Sequence, residues 1–353
     1  MEIETDYGQE AGGGRWLCPQ REAWGIGAHQ KLTVVLQDRL CFTVTVTGSY
    51  ASAAELAGKW GSPVDDSTLH ALAQRAGTKA GEQAQARWQS APQEREPKRL
   101  ASELGVLLVD GWQVRHRGPG WGADEPRQNR VEWHEMKLGV YYSIEQAGRK
   151  ESGRGELADK VVVSTLGDAV ALGEQLHWEA RREGLGRVRH LEMLGDGAHW
   201  IWNLKQQRWD QAVEVLDFYH ASEHLWNVAR ALEGEERAAD WVKPLLHQLR
   251  HGQEKRVLKK IARLPSPKGQ RGAVVRREKN YFASQAHRMK YQEIAARGWP
   301  IGSGAVESAC RQRQCRFKRP GQFWTVKGLR HLAALMDAKQ NHHWEELWEP
   351  VKP

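Results

Sequence analysis

The chain has 353 residues, enough for two or three domains, and its 40% hydrophobic and 27% charged residues exclude a disordered or membrane-embedded protein. Its 52 Lys and Arg against 44 Asp and Glu give a net charge of +8, which favours a polyanionic partner. Four cysteines without CxxC spacing, an acidic N-terminus without an apolar leader and the lack of any eighteen-residue apolar run lead us to expect a cytoplasmic protein with reduced thiols. Cys310 and Cys315 could ligate zinc with nearby His residues, but the four-ligand spacing of a structural site is missing. The 17 Trp would suit stacking on nucleic acid, although core packing is their commoner use.

Residues 1–39 carry no assignable pattern. LCFTVTVTG, residues 40–48, alternates as a strand does. Ser49 can cap a helix reaching Trp60, Gly61-Ser62-Pro63 breaks it, and Asp66 can cap a second. Residues 40–88 therefore have the spacing of a helix-turn-helix, whose second helix begins near Ser67 and Thr68 and offers His70, Gln74 and Arg75 outward to DNA. A plain helical hairpin has the same signature. Residues 89–100, with two prolines and many charges, read as a linker.

Beyond the linker, ELGVLLVDGWQVRHRG predicts a strand ending near Asp110, VEWHEMKLGVYYSIE a second and KVVVSTLG a third. Asp168 caps an amphipathic helix, RVRHLEML leads as a fourth strand into Asp196, and QAVEVLDFYHA reads as a fifth before helix resumes in ASEHLWNVARALEG. This order predicts an α/β domain with a mixed five-stranded sheet over residues 101–233 and 302–340. Residues 234–301 read as a basic helical insertion, whose charge run is ordinarily a solvated surface. A last helix starts after Ser303, its cap, and residues 341–353 form a tail.

Asp110 and Asp196 both precede Gly at the carboxyl end of an apolar strand. If those strands are neighbours, the carboxylates meet at one edge of the sheet, where open α/β sheets place their sites. Glu307 follows the small-residue stretch GSGA on the late helix and could join them. Convergent carboxylates repel, so such a site calls for divalent cations, and hard oxygen ligands select Mg²⁺ or Mn²⁺. Two ions about 4 Å apart serve phosphodiester chemistry. Taken singly, each Asp-Gly is more often a turn and Glu307 a surface residue.

The order of these acids resembles the DDE transposases of the RNase H-like superfamily, and in particular bacterial insertion-sequence transposases of the ISKra group, related to the Mutator-like branch. The resemblance is carried by LLVDG, WHEMKLG, MLGDGAHWIW, LDFYHASEHLW and PIGSGAVESACRQRQCRFKRPGQFW, and spans about residues 40 to 340. It implies an RNase H-like catalytic domain, Asp110, Asp196 and Glu307 as catalytic and metal-binding triad, two Mg²⁺ or Mn²⁺ ions, and Asp217 with His220 as accessory residues. It further implies cutting of element ends and joining of the 3′-hydroxyl to target DNA by a homodimer or larger assembly acting on double-stranded DNA in the nucleoid. The basic run Arg311, Arg313, Arg316, Lys318 and Arg319 behind Glu307 is expected on the same helix as phosphate contacts. A metal-dependent nuclease or resolvase on the same fold, and a catalytically inactive DNA-binding relic, are the alternatives; strand-transfer products and metal-dependent nicking separate them.

Overall fold

A computed structural model describes residues 8–9, 12–13, 16–24, 26, 32–89, 102–122, 129–152 and 155–348. Almost all of the expected 89–100 linker lies outside the described residues. The chain divides into two compact units, residues 1–86 with 315–353 and residues 87–314.

The first unit is helical. Thr33 caps α1 (Val34–Val46), accepting the Leu36 N–H at 3.2 Å. This helix takes up the stretch whose alternation suggests a strand, because the threonine hydroxyls bond backward along it, Thr43 to the Arg39 carbonyl and Thr47 to that of Thr43. With those hydroxyls satisfied locally, Leu40, Cys41 and Val44 form a buried helical face. Ser49 caps α2 (Tyr50–Lys59) as its sequence predicts. The third helix, α3 (Asp66–Gln89), is capped by Asp65 rather than Asp66: its carboxylate accepts the Thr68 N–H at 2.6 Å and both hydroxyls of Ser67 and Thr68. Those bonds hold the Asp65 carboxyl down at about 2.

In the second unit the strands are β1 (Leu104–Arg117), β2 (Val131–Ser143), β3 (Val161–Thr165), β4 (His190–Gly195) and β5 (Val213–Leu216). They form one mixed sheet in the order β3-β2-β1-β4-β5. Strand β2 runs antiparallel to both β1 and β3, while β4 lies parallel to β1 and β5 parallel to β4. This is the mixed five-stranded sheet that the sequence predicts. Between the strands come α4 (Ala169–Arg182), capped by Asp168, and α5 (His199–Arg208). Leu172 and Leu176 of the first and Ile201, Trp202 and Leu204 of the second bury Leu107, Val109, Tyr141, Leu191 and Met193 on one face of the sheet.

Two boundaries differ from expectation. β1 does not end at Asp110; it continues to Arg117, paired with β2 from Gly105↔Ser143 to Arg117↔Val131. What ends near Asp110 is its parallel partnership with β4, whose last pair is Leu108↔Leu194. The fifth strand stops at Leu216, and Asp217-Phe218-Tyr219-His220 opens α6 (Phe218–Glu233), because the Asp217 side chain caps it.

Residues 234–301 are helical as expected: α7 (Glu235–Arg250), α8 (Glu254–Ala262), α9 (Gly269–Gln285) and α10 (Tyr291–Ala296). Then come α11 (Gly304–Phe317), within which the division between the units falls, and α12 (Val326–Gln340) of the first unit. Residues 315–340, expected beside the sheet, therefore group with the N-terminal helices. The reason is local bonding: Gln74 of α3 meets the Gly328 carbonyl and the His331 ring, and Trp344 donates to Asp38 at 2.7 Å. No helix among the described residues is long and apolar enough to cross a membrane.

Candidate active site

Asp110 and Asp196 each stand two residues beyond the paired Leu108 and Leu194 on adjacent parallel strands. Neighbouring strands lie about 4.8 Å apart, so the two acids share one level at the sheet's carboxyl end. Asp110 accepts the N–H of Gly111 at 2.6 Å. Burial chiefly pushes its carboxyl above the ordinary range, and the negative charges of Asp196 and Glu307 push it the same way. Hydrogen bonds from the Gly111 N–H and the Cys310 thiol oppose that shift.

Gly111 pairs with Lys137, facing away from Asp110, and a Cβ there would come within 2.6 Å of the Glu135 carboxylate. Glu135 is ion-paired to Lys137, so the acid of WHEMKLG belongs to the far face and not to the triad. This gives the Asp-Gly pair a physical reason that differs from a turn: the Gly leaves room for a charged neighbour.

Asp196 follows β4 in a tight turn. Its Oδ1 accepts the Ala198 N–H at 2.8 Å, and Gly197 has φ +98°, which a side chain rarely tolerates. The insertion helix α9 grips the same turn. Tyr281 donates its hydroxyl to the Asp196 carbonyl at 2.7 Å, and Gln285 Nε2 donates to the Gly197 carbonyl at 3.0 Å. Burial first, then the charge of Asp196, raise the Tyr281 phenol well beyond its usual range, so it remains a donor.

Glu307 sits in the first turn of α11 and is exposed. Ser303 fills the cap position as predicted: its carbonyl accepts from Val306 and Glu307, and its hydroxyl donates to Glu307 Oε1 at 2.6 Å. Cys310 and Arg313 follow at i+3 and i+6, so one face of the helix carries the acid, a buried thiol and a buried cation. The Cys310 thiol is pushed up by burial and then by Asp110, and stays protonated to donate to that acid.

Asp217 is buried at 1% exposure and works through backbone groups. Its Oδ1 accepts the His220 N–H at 2.6 Å, its Oδ2 accepts the Ser303 N–H, and its own N–H donates to the Gly195 carbonyl at 2.9 Å. The His220 ring turns elsewhere, with Nδ1 at 3.7 Å from Glu223. The accessory pair thus meets through a helix cap, not through the imidazole.

Among the described residues no group of three His, Cys, Asp or Glu side chains is gathered closely enough to hold a metal as it stands. The donor chemistry is nonetheless that of a hard cation, three carboxylates, of which Asp110 is raised first by burial and then by the charges of Asp196 and Glu307. Of the two late cysteines, Cys310 is buried and Cys315 exposed.

The residues expected to contact DNA divide sharply. His70, Arg75 and Ser67 are exposed, but the hydroxyls of Ser67 and Thr68 are engaged by Asp65. Gln74 is turned inward to Gly328 and His331, which corrects its expected outward placement. Arg311, Lys318 and Arg319 are exposed, the last two beyond the end of α11 at Phe317 rather than on it. Arg313 and Arg316 are buried at 5% and 3% exposure, so neither stands at the surface as a phosphate contact. Arg316 lies over the rings of Tyr50 (4.9 Å) and Trp324 (5.4 Å) and donates to the carbonyls of Val44 and Gly48. Sequence reasoning missed Tyr281 and Gln285 altogether, since an i, i+4 pair on a basic helix carries no mark of its partner. It also links Cys310 to zinc alone and not to the acids, although its i+3 spacing from Glu307 is a usable signal.

No protein-family model matches the sequence, and no curated protein matches it. Among solved structures the chain is similar to the Drosophila P element transposase strand transfer complex, at 12% identity and a TM-score of 0.30, over 84% of this chain and 67% of that one. At that level of similarity the fold rests on the strand pairings themselves.

Proposed function

We propose that the chain is a DNA transposase of the bacterial insertion-sequence type, of the ISKra group in the Mutator-like branch, which cuts element ends and joins the freed 3′-hydroxyl to target DNA. One observation carries this reading: Asp110 in β1 and Asp196 just past the end of β4 each stand two residues beyond the last parallel pair of these adjacent strands, and so at one level. Carboxylates held together in this way favour a cation. Asp110, Asp196 and Glu307 would hold Mg²⁺ or Mn²⁺, which when bound activates an attacking oxygen and stabilises a leaving one.

The chain's own contribution is position. Tyr281 and Gln285 fix the turn that carries Asp196, and Asp217 with Ser303 fixes the first turn that carries Glu307. The Cys310 thiol donates a hydrogen bond to the Asp110 carboxylate. DNA is reached from exposed cations, Arg311, Lys318 and Arg319 among them, and joining two ends calls for at least a dimer.

The test is incubation of the full chain with labelled duplex carrying the element's own ends, in Mg²⁺, Ca²⁺ or chelator. The expected result is nicked and strand-joined product in Mg²⁺, little in Ca²⁺ and none in chelator. Nicking without joining would make the protein a nuclease. Equal product in chelator would remove the metal from the account.

A further inference from the structure

The helical insertion concentrates the protein's positive charge. Residues 254–276 hold eight Lys and Arg against one Glu, a balance close to the whole chain's +8. Within it, Arg256, Lys259, Lys260 and Arg263 recur at i, i+3, i+4 and i+7, so they share one side of α8 and its end. Val257 and Ile261 are buried on the other. The four cations line a shallow depression of about 410 Å³ floored by Leu264 and Pro265.

A solvated helix face would relieve like charges with carboxylates one turn away, as happens at several positions elsewhere in this unit. Arg237 pairs with Glu233, and Lys290 and Arg297 both pair with Glu293. None of the four cations of α8 lies within ion-pair distance of a carboxylate among the described residues; Lys260 instead lies 5.1 Å from the Trp241 ring. Like charges at these spacings destabilise an isolated helix, so the stripe works against its own folding unless an anion meets it.

We infer that the α8 stripe is a docking surface for the phosphate backbone of double-stranded DNA. At 1.5 Å rise per residue it is about 10 Å long, enough to face about three successive phosphates of one strand. A single-strand site would show exposed aromatic platforms, and here the nearest ring, Trp241, is covered by Lys260. An anionic membrane would need apolar anchors beside the cations, whereas Val257 and Ile261 are buried. The choice of DNA among polyanions rests on the proposed function; the location does not.

The experiment titrates the full chain into a fluorescent duplex across a salt series, comparing wild type with a variant carrying Arg256→Gln, Lys259→Gln, Lys260→Gln and Arg263→Gln. All four side chains are exposed and Gln is a comparable helix former, so the fold is retained; Lys259→Glu with Lys260→Glu is the second variant. At about 0.9 per phosphate, the log-log salt slope should become shallower by about 2 to 3, and affinity at moderate salt should fall at least tenfold. Unchanged slope and affinity in both variants would overturn the inference. So would loss of binding to phosphatidylserine vesicles with DNA affinity intact. If stripe-dependent binding is found but wild type never cuts in Mg²⁺, the surface stands and the transposase reading fails; if wild type cuts and the stripe variants bind normally, the reverse holds.

Discussion

Asp217 receives the backbone N–H of His220 on one carboxylate oxygen and that of Ser303 on the other, so a single buried side chain ties the start of α6 to the segment that launches Glu307. Loss of a cap costs about 1 kcal/mol and an orphaned buried N–H about 1–3 kcal/mol. Asp217→Ala should therefore destabilise the protein by about 2–4 kcal/mol, read from the denaturant midpoint at constant slope. A change below 0.5 kcal/mol would show that Ser303 is held by other means.

Tyr281 reaches the turn of Asp196 with one hydroxyl. Tyr281→Phe removes that bond at a cost of about 1 kcal/mol and leaves the ring, stacked 3.5 Å from His224, in place. Cleavage should slow while duplex affinity stays at the wild-type value. Equal slowing of both would mean that the helix, not the turn, was disturbed.

Glu192 lies in the sheet with no exposure, and both its oxygens lack a hydrogen-bond partner among the described residues. Burial pushes its carboxyl up to about 9, against an ordinary value of 4.5. Between those two pH values the folded chain holds a proton that the unfolded chain has released. Stability is thus fully present below pH 4.5 and falls as pH rises toward 9. Glu192→Leu should remove this slope and be more stable at pH 8 by about 1–3 kcal/mol. Parallel stability curves from pH 5 to 8 would contradict it.

Arg316 and Arg311 share a helix but not a role. Arg316→Ala empties a buried place between Tyr50 and Trp324 and should cost about 2 kcal/mol or more in stability. Arg311→Ala, at an exposed position, should leave the melting midpoint within a degree or two and make the salt slope of DNA binding shallower by about 1. The opposite pattern would restore Arg316 as the phosphate contact.

These contrasts show what the sequence could carry. The succession of elements along the chain was legible because apolar runs and the caps Ser49 and Asp168 mark element limits directly. Asp110 and Asp196 were legible as a pair because each closes an apolar run and precedes Gly. The end of β1 was not, since Asp-Gly in GWQVRHR permits extension, and only the ending of β4 decides where parallel pairing stops. Nor could the sequence separate the arginines of RQRQCRFK. Two residues' difference in position turns Arg311 to solvent and Arg313 inward, and which side of α11 is covered depends on elements far away in the chain. Nor could the sequence show how Asp217 meets His220: D-x-x-H satisfies a helix cap through the backbone, with no demand on the ring.

The central claim is that Asp110, Asp196 and Glu307 act as one metal-dependent group, and it is tested by measuring end-cleavage rate and gel-shift affinity together for Asp110→Asn, Asp196→Asn and Glu307→Gln. Each change keeps size while removing an anion, so cleavage in Mg²⁺ should collapse in all three. Binding should persist, because removing negative charge cannot weaken attraction between phosphates and Lys or Arg. Cleavage at the wild-type rate in Glu307→Gln would leave Glu307 an exposed helix residue and contradict the account.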